Sequence, residues 1–380
     1  MNRQSASSRI ARDAMRRRVL ADPSIGILSL LVLASIVMSV YEPTFATEGN
    51  ITNIINTMMT VSFLAIGMTV VLIAGGLDLS VGAVMGLCAG VAANLLTYGL
   101  SMPVAFIGAL AVGGGIGLVN GVLITKLGIP DFIATLATMG IVGGVLLYWT
   151  AGVPILGYMN DTYYYIGGLT RIAGPLTFPM ILVVVIAAGV ALLLGRTRFG
   201  VMFYAVGSSA TGALHAGVRV DRVKIAAYVI SGLMAAVAGI HIAGRTTTVP
   251  PLIGNGYEIT AIAAAVIGGA SLNGGKGHVF GALVGALTLT MTRNIINLTG
   301  VESSWQAVVT GLVLILAVAA NQAWTVLRAR SGTKALATYT TSNAAPLASR
   351  ESRVHHTAPT QETSADSDAP APRRRPKTIA

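Results

Sequence analysis

Apolar runs long enough to cross a membrane recur along this 380-residue chain from Ser24 to Asn321, and no other feature limits its fold so much. A helix needs about 20 apolar residues to cross a hydrocarbon core of about 30 Å. The runs cover approximately residues 24–41, 54–73, 79–96, 103–124, 132–150, 176–194, 225–242, 259–272, 278–298 and 305–321. An unsatisfied backbone group in lipid costs several kcal/mol, so only helices or a closed barrel can span it. The unbroken apolar character of the runs selects helices. Composition agrees: 54% of the residues are hydrophobic and 10% charged, whereas soluble domains carry roughly 25% charged residues. The expectation is an all-α polytopic membrane protein with about ten transmembrane helices.

An even number of crossings returns both ends to one side, and positive charge says which, because Lys and Arg concentrate in short cytoplasmic segments. With the N-terminus inside, Arg3, Arg9, Arg12, Arg16, Arg17, Arg18, Lys126, Arg196, Arg198, Arg219, Arg222, Lys224 and Lys276 all fall inside. Arg171 and Arg245 fall in outer loops and Arg293 within a run. Both termini are therefore expected in the cytoplasm. The organisation that follows is a basic N-terminal segment over 1–23, a transmembrane domain over 24–322 and a cytoplasmic tail over 323–380. The tail is rich in Ala, Ser, Thr and Pro and lacks apolar periodicity, a composition that remains disordered. The first run exceeds the apolar core of a signal peptide and ends in Tyr41-Glu42-Pro43 instead of small residues, so it is read as retained.

The formal charge of +11 is accounted for by orientation in a membrane, and no nucleic-acid partner is expected. Membrane lipid is the expected neighbour, with Lys276 and the terminal Arg373, Arg374, Arg375 and Lys377 placed to meet headgroups. Cys88 is the only cysteine, so neither a disulfide nor a CxxC pair can form. The histidines (His215, His241, His278, His355 and His356) form no HExxH pair, and no GxSxG elbow occurs. No metal, no cofactor and no catalytic residue is expected.

The stretch "YEITAIAAAVIGGASLNGGKGHVFGALVG" opens on Glu258 and breaks at Asn273-Gly274-Gly275-Lys276-Gly277. A phosphate loop would need glycine where Ala270 stands and a hydroxyl where Gly277 stands. The break is instead read as a turn at the cytoplasmic surface, one able to move. Small residues repeat every fourth position at Gly82, Gly86 and Gly90, at Gly113, Gly117 and Gly121, and at Gly281 and Gly285. That spacing lets helices approach closely in lipid. Asp78, in "GGLDLSVG", is read either as a helix cap or as part of a broken helix lining a polar pathway. Asp131 after Pro130 reads as a cap. Polar groups inside a bundle are costly unless used or paired, which makes Asp78, Asn120, Arg293, Asn294, Asn297 and Gln306 candidates for a solute pathway. Glu258, Arg245 and Glu302 read as a charged outer rim. The longest inner loop, "GRTRFGVMFYAVGSSATGALHAGVRVDRVK", mixes apolar and polar residues as a short surface helix does.

At this loop and beyond, the chain resembles the inner-membrane permease family of ribose-type ABC sugar importers. The resemblance rests on "AGGLDLSVGAVMGL", "IPDFIATLATMGI", "GVRVDRVKIAAYVISGLMAAVAGI", "GNGYEITAIAAAVIGGASLNGGKGHVFGALVGAL" and "WQAVVTGLVLILAV", in family order over about 53–322. It implies a homodimeric permease of the bacterial inner membrane, driven by a cytoplasmic ABC ATPase and fed by a periplasmic sugar-binding protein. It also implies that the ATPase is met by Ser208, Ala210, Leu214, Gly217, Arg219, Arg222 and Lys224. Two departures are visible: Ser208 to Gly212 replaces an Asn-x-Glu-Ala-Ala-like stretch, and Gly143 stands where family members often carry arginine. The implied function is translocation of a monosaccharide by alternating access, without covalent chemistry. An ion-coupled secondary transporter, a structural membrane scaffold, and an importer permease for branched-chain amino acids or nucleosides are the alternatives.

Overall fold

The computed structural model describes residues 23–173 and 176–300, together with positions 302, 305, 308, 309, 311, 312, 315 and 319. Nearly all of the basic N-terminal segment, the tail from 323, Gln306 and more than half of the last apolar run lie outside the described residues.

The elements are α1 (Pro23–Tyr41), a 3-10 turn (Pro43–Ala46), α2 (Glu48–Ile73), α3 (Val81–Thr97), α4 (Met102–Lys126), α5 (Asp131–Trp149) and α6 (Asp161–Ile166). There follow a hairpin of β1 (Arg171–Ala173) and β2 (Leu176–Thr177), then α7 (Phe178–Arg196), α8 (Arg198–Ser208), α9 (Ala210–His215), α10 (Val220–Thr246), α11 (Tyr257–Ile267) and α12 (Val279–Leu298). Among the described residues six helices are long and apolar enough to cross a membrane: α2, α4, α5, α7, α10 and α12. Three shorter apolar helices accompany them, at Gly26–Tyr41 within α1, at α3 and at α11.

Local chemistry sets the ends. Thr47 accepts the Asn50 N–H at 3.4 Å at the start of α2, and the His278 ring nitrogen accepts the Gly281 N–H at 2.8 Å at the start of α12. Proline lies in the first turn of α4 and α7, where its missing N–H costs no helical bond. The expected run over 259–272 is the largest difference: α11 has 11 residues, about 16 Å of helix. It stops because Gly268 and Gly269 follow, the latter at φ +90°, although apolar character continues to Leu272.

Helices α2 and α10 form the centre. α10 packs along α4, α2 and α3, and α12 packs on α2 and α11, whereas α4, α5 and α7 bury only a minority of their residues. Glycine brings the central pairs together. Backbone of α10 at Gly232, Tyr228 and Ile225 fills the space beside Gly113, Gly117 and Gly121 of α4. Gly281 sits against Gly268 and Gly285 against Ala264. In α3, Gly82 meets Gly254 and Glu258, Gly86 meets Leu146 and Gly254, and Gly90 meets Leu146. At one end, Lys126 and Asp221 form an exposed ion pair at 2.6 Å, and Arg196, Arg198, Arg219 and Arg222 gather in the same connections. At the other end, α6 and the residues flanking it cover α10: Tyr158 donates to the Ala243 carbonyl at 2.9 Å, and Gly167 rests on Gly244.

Gly117→Ala would drive its methyl into the Tyr228 carbonyl, whereas Gly115→Ala meets nothing within 4 Å. Overpacking of a close helix contact costs roughly 1–3 kcal/mol. Thermal unfolding in detergent is therefore expected to fall for Gly117→Ala and to stay at the parent value for Gly115→Ala. Equal midpoints would remove the α4–α10 contact from the account.

Candidate functional site

Between α2 and α3 the helix breaks at Gly75, whose φ of +73° suits only glycine. The chain then runs through Gly76, Leu77 and Asp78 before α3 begins. Asp78 is 2% exposed and receives three donated bonds. The Ser80 N–H and hydroxyl reach Oδ1 at 3.0 and 2.6 Å, and the Ser231 hydroxyl of α10 reaches Oδ2 at 2.7 Å. Behind Ser80 the chain of donors continues. Asn120 of α4 donates to the Ser80 oxygen at 3.0 Å, and Thr138 of α5 donates to Asn120 Oδ1 at 2.6 Å. One carboxylate thus ties α3, α4, α5 and α10 to the break. No cation lies within ion-pair distance of it among the described residues. Ser80 itself is the residue capping α3 and makes no side-chain cap bond; its hydroxyl is spent on Asp78. The Leu77 carbonyl is met by the Tyr228 hydroxyl at 3.3 Å.

The second break joins α11 to α12. Gly274 and Gly275 have φ of +84° and +68°, and the Ser271 N–H bonds the Lys276 carbonyl at 3.0 Å to close the turn. The two breaks touch: the Gly275 N–H donates to the Ile73 carbonyl, the end of α2, at 3.0 Å. Tyr204 of α8 donates to the Gly277 carbonyl at 2.9 Å. Burial pushes the Tyr204 phenol above its ordinary value, which keeps the hydroxyl a donor.

The remaining candidate residues are placed as follows. Asp78 and Asn120 share the network above. Arg293 donates to Thr260 at 2.6 Å, and its Nε is buried without a bond. Asn294 and Asn50 exchange two bonds of 2.6 and 3.1 Å, joining α12 to α2. Asn297 lies in the last turn of α12. Ser208 ends α8, Ala210 and Leu214 belong to α9, Gly217 turns at φ +80°, and Arg219, Arg222 and Lys224 open α10. All but Lys224 are exposed. The loop holds two short helices where one was expected, because Ser209 is extended and caps α9 through the Gly212 N–H at 3.0 Å. Ala210, Leu214, Arg219 and Arg222 border a cavity of about 510 Å³ beside the Lys126–Asp221 pair.

A second cavity, about 370 Å³, opens between α3, α5 and the loop before α11. Its walls include Gly86, Gly140, Gly143, Gly144, Asn255 and Glu258, and no atom lies within 4 Å of a Cβ built at Gly140, Gly143 or Gly144. Gly143 is thus a position where a missing side chain leaves room. Glu258 was expected on an outer rim; the structure sets its carboxylate against Gly82, at the start of α3. Sequence reasoning missed Ser80, Ser231 and Thr138. The available signal was a hydroxyl inside an apolar run, where side chains of this type join helices. Among the described residues no group of three His, Cys, Asp or Glu side chains converges as metal ligands would.

Comparison with known proteins adds a family. Residues 50–318 match the model described as branched-chain amino acid transport system / permease component. A ribose import permease protein of Bacillus subtilis is 36% identical over 315 residues, covering 83% of this chain and 96% of the relative. The ribose import permease protein of Escherichia coli K12 is 38% identical over 294 residues, 77% of this chain and 91% of the relative. An autoinducer 2 import system permease protein of Yersinia pseudotuberculosis is 37% identical over 293 residues, 76% and 81% respectively. No solved structure matches the chain at a significant level.

Removing the Ser231 hydroxyl leaves one oxygen of a buried carboxylate without its donor. Hydrogen bonds to such groups contribute roughly 1.5–3 kcal/mol, so Ser231→Ala is expected to lower the unfolding midpoint. A cycle with Asn120→Ala is expected to be non-additive, since Ser231 bonds Asp78 directly and Asn120 acts on it through Ser80. Strict additivity would break the network into unrelated contacts.

Proposed function

The chain belongs to the family described as branched-chain amino acid transport system / permease component, and on that premise we propose that it is the membrane subunit of an ABC importer carrying a monosaccharide from periplasm to cytoplasm. The observation that carries the sugar reading is identity of 36–38% extending over more than nine-tenths of two ribose import permeases. The family description itself names branched-chain amino acids, so an amino-acid cargo is the second reading.

In this proposal the protein sits in the inner membrane as a homodimer, with about ten crossings and both termini in the cytoplasm. The nine long or short apolar helices and the helical positions between 305 and 319 supply the crossings. The basic residues of the α7–α10 connection supply the orientation. A cytoplasmic ATPase docks on the exposed residues from Ser208 to Arg222, and a periplasmic binding protein delivers the cargo. The chain performs no covalent chemistry and uses no cofactor; its part is to expose the pathway to one side and then the other. Asp78 and Asn120 act by holding the first break, while Arg293, Asn294, Asn297, Gln306 and the glycine-walled cavity are the regions the cargo passes.

The test is uptake into proteoliposomes containing this chain with its cognate ATPase and binding protein, using labelled D-ribose and labelled L-leucine. Accumulation of ribose that requires ATP inside is expected. Leucine accumulation alone would transfer the proposal to the second reading, and uptake driven by an ion gradient without ATPase would overturn the importer assignment.

A further inference from the structure

The end of α8 is wedged into the contact between the two breaks. A Cβ on Gly207 would run into the Ile73 carbonyl oxygen and stand 2.6 Å from the Gly275 nitrogen. Those two atoms are the acceptor and donor of the bond that joins the breaks. A Cβ on Gly274 would in turn strike the Gly207 carbonyl, and one on Gly75 would stand 3.3 Å from the Gly207 Cα. Three segments far apart in sequence therefore meet backbone to backbone at Gly75, Gly207 and Gly274, with the Ser208 hydroxyl beside them against Gly275. Phe203 and Val206 anchor α8 in the same apolar cluster as Val70, Ile73 and Ala74 of α2. The Tyr204 hydroxyl holds the far side of the second break at Gly277. Beyond Gly207, Ser208 and Ser209 lead directly into α9, which exposes Ala210 and Leu214.

We propose that Gly207 is the positioning residue through which displacement of α9 is transmitted to both helix breaks at once. The inference rests on the importer reading above and extends it to the point where external motion enters the bundle. The contact at Gly207 is backbone on backbone and leaves no rotamer there to absorb the movement, so a shift of α9 becomes a shift of the Ile73–Gly275 junction. A methyl at Gly207 would push α8 out of the junction and separate α9 from the breaks, while the docking face beyond Ser208 stays intact.

The test reads the second break in the assembled complex of full-length chain and cognate ATPase. Asn273 is exposed at the tip of that break, and the only native cysteine, Cys88, is buried, so maleimide labelling of N273C reports the tip. Labelling is compared with and without ATP and vanadate, and nucleotide trapped on the ATPase is measured in the same samples. Trapping is expected to change the N273C labelling rate at least about fivefold. The change is expected to vanish in N273C/G207A and to shrink in N273C/Y204F, with trapped nucleotide unaltered. N273C/G195A is the control, since a Cβ at Gly195 meets nothing within 4 Å, and it should behave as N273C. An unchanged response in G207A, or a loss of trapping in proportion to the loss of response, would overturn the proposal. Should G207A fail to assemble, Y204F decides, because it removes one hydroxyl and adds no atom. A parent chain that binds no ATPase would overturn the importer reading beneath it, an outcome distinct from an assembled complex whose break ignores Gly207.

Discussion

A helix that breaks leaves carbonyls and amides without helical partners, and this structure supplies partners by setting two breaks against each other. The Ile73 carbonyl, which α2 can no longer use, accepts the Gly275 N–H from the α11–α12 turn. The neighbouring carbonyl at Leu77 goes to Tyr228 of α10, and the one at Gly277 to Tyr204 of α8. Each bond satisfies a carbonyl that a helix end leaves open, and each connects a different part of the bundle to the same place. Cooperation among these segments is thus a by-product of satisfying main-chain groups.

The carboxylate of Asp78 follows the same logic on the other side of the first break. Its surroundings contain no ion-pair partner among the described residues, and its stabilisation comes from hydroxyls and an amide lined up in one direction, from Thr138 through Asn120 and Ser80. Such a chain is cooperative, since each donor polarises the next. It also fixes geometry more narrowly than apolar contact does, because a shift of any of four helices lengthens at least one bond. The exposed Lys126–Asp221 pair contributes little by comparison, as solvent screens it.

How much of this was legible in the sequence depended on whether the signal was local. Hydropathy located the long helices, because lipid imposes its length scale residue by residue. It failed at α11: Ala270 and Leu272 continue the apolar run, and only the backbone shows that Gly269 has turned out of the helix. The pairing of Asp78 with Ser231, 153 residues away, has no local trace, since a serine in an apolar helix looks the same whether it bonds its own backbone or a distant carboxylate. The contact of the Glu258 carboxylate with Gly82 likewise joins residues far apart in sequence and has no local trace. Gly75 and Gly207 were visible as glycines without being recognisable as neighbours.

The brevity of α11 has a structural corollary. Eleven residues reach across about half of a bilayer's oily interior, and Gly254, in the loop before them, abuts Gly82 at the start of α3. The rest of the apolar stretch is turned main chain held by a close neighbour, Gly268 against Gly281.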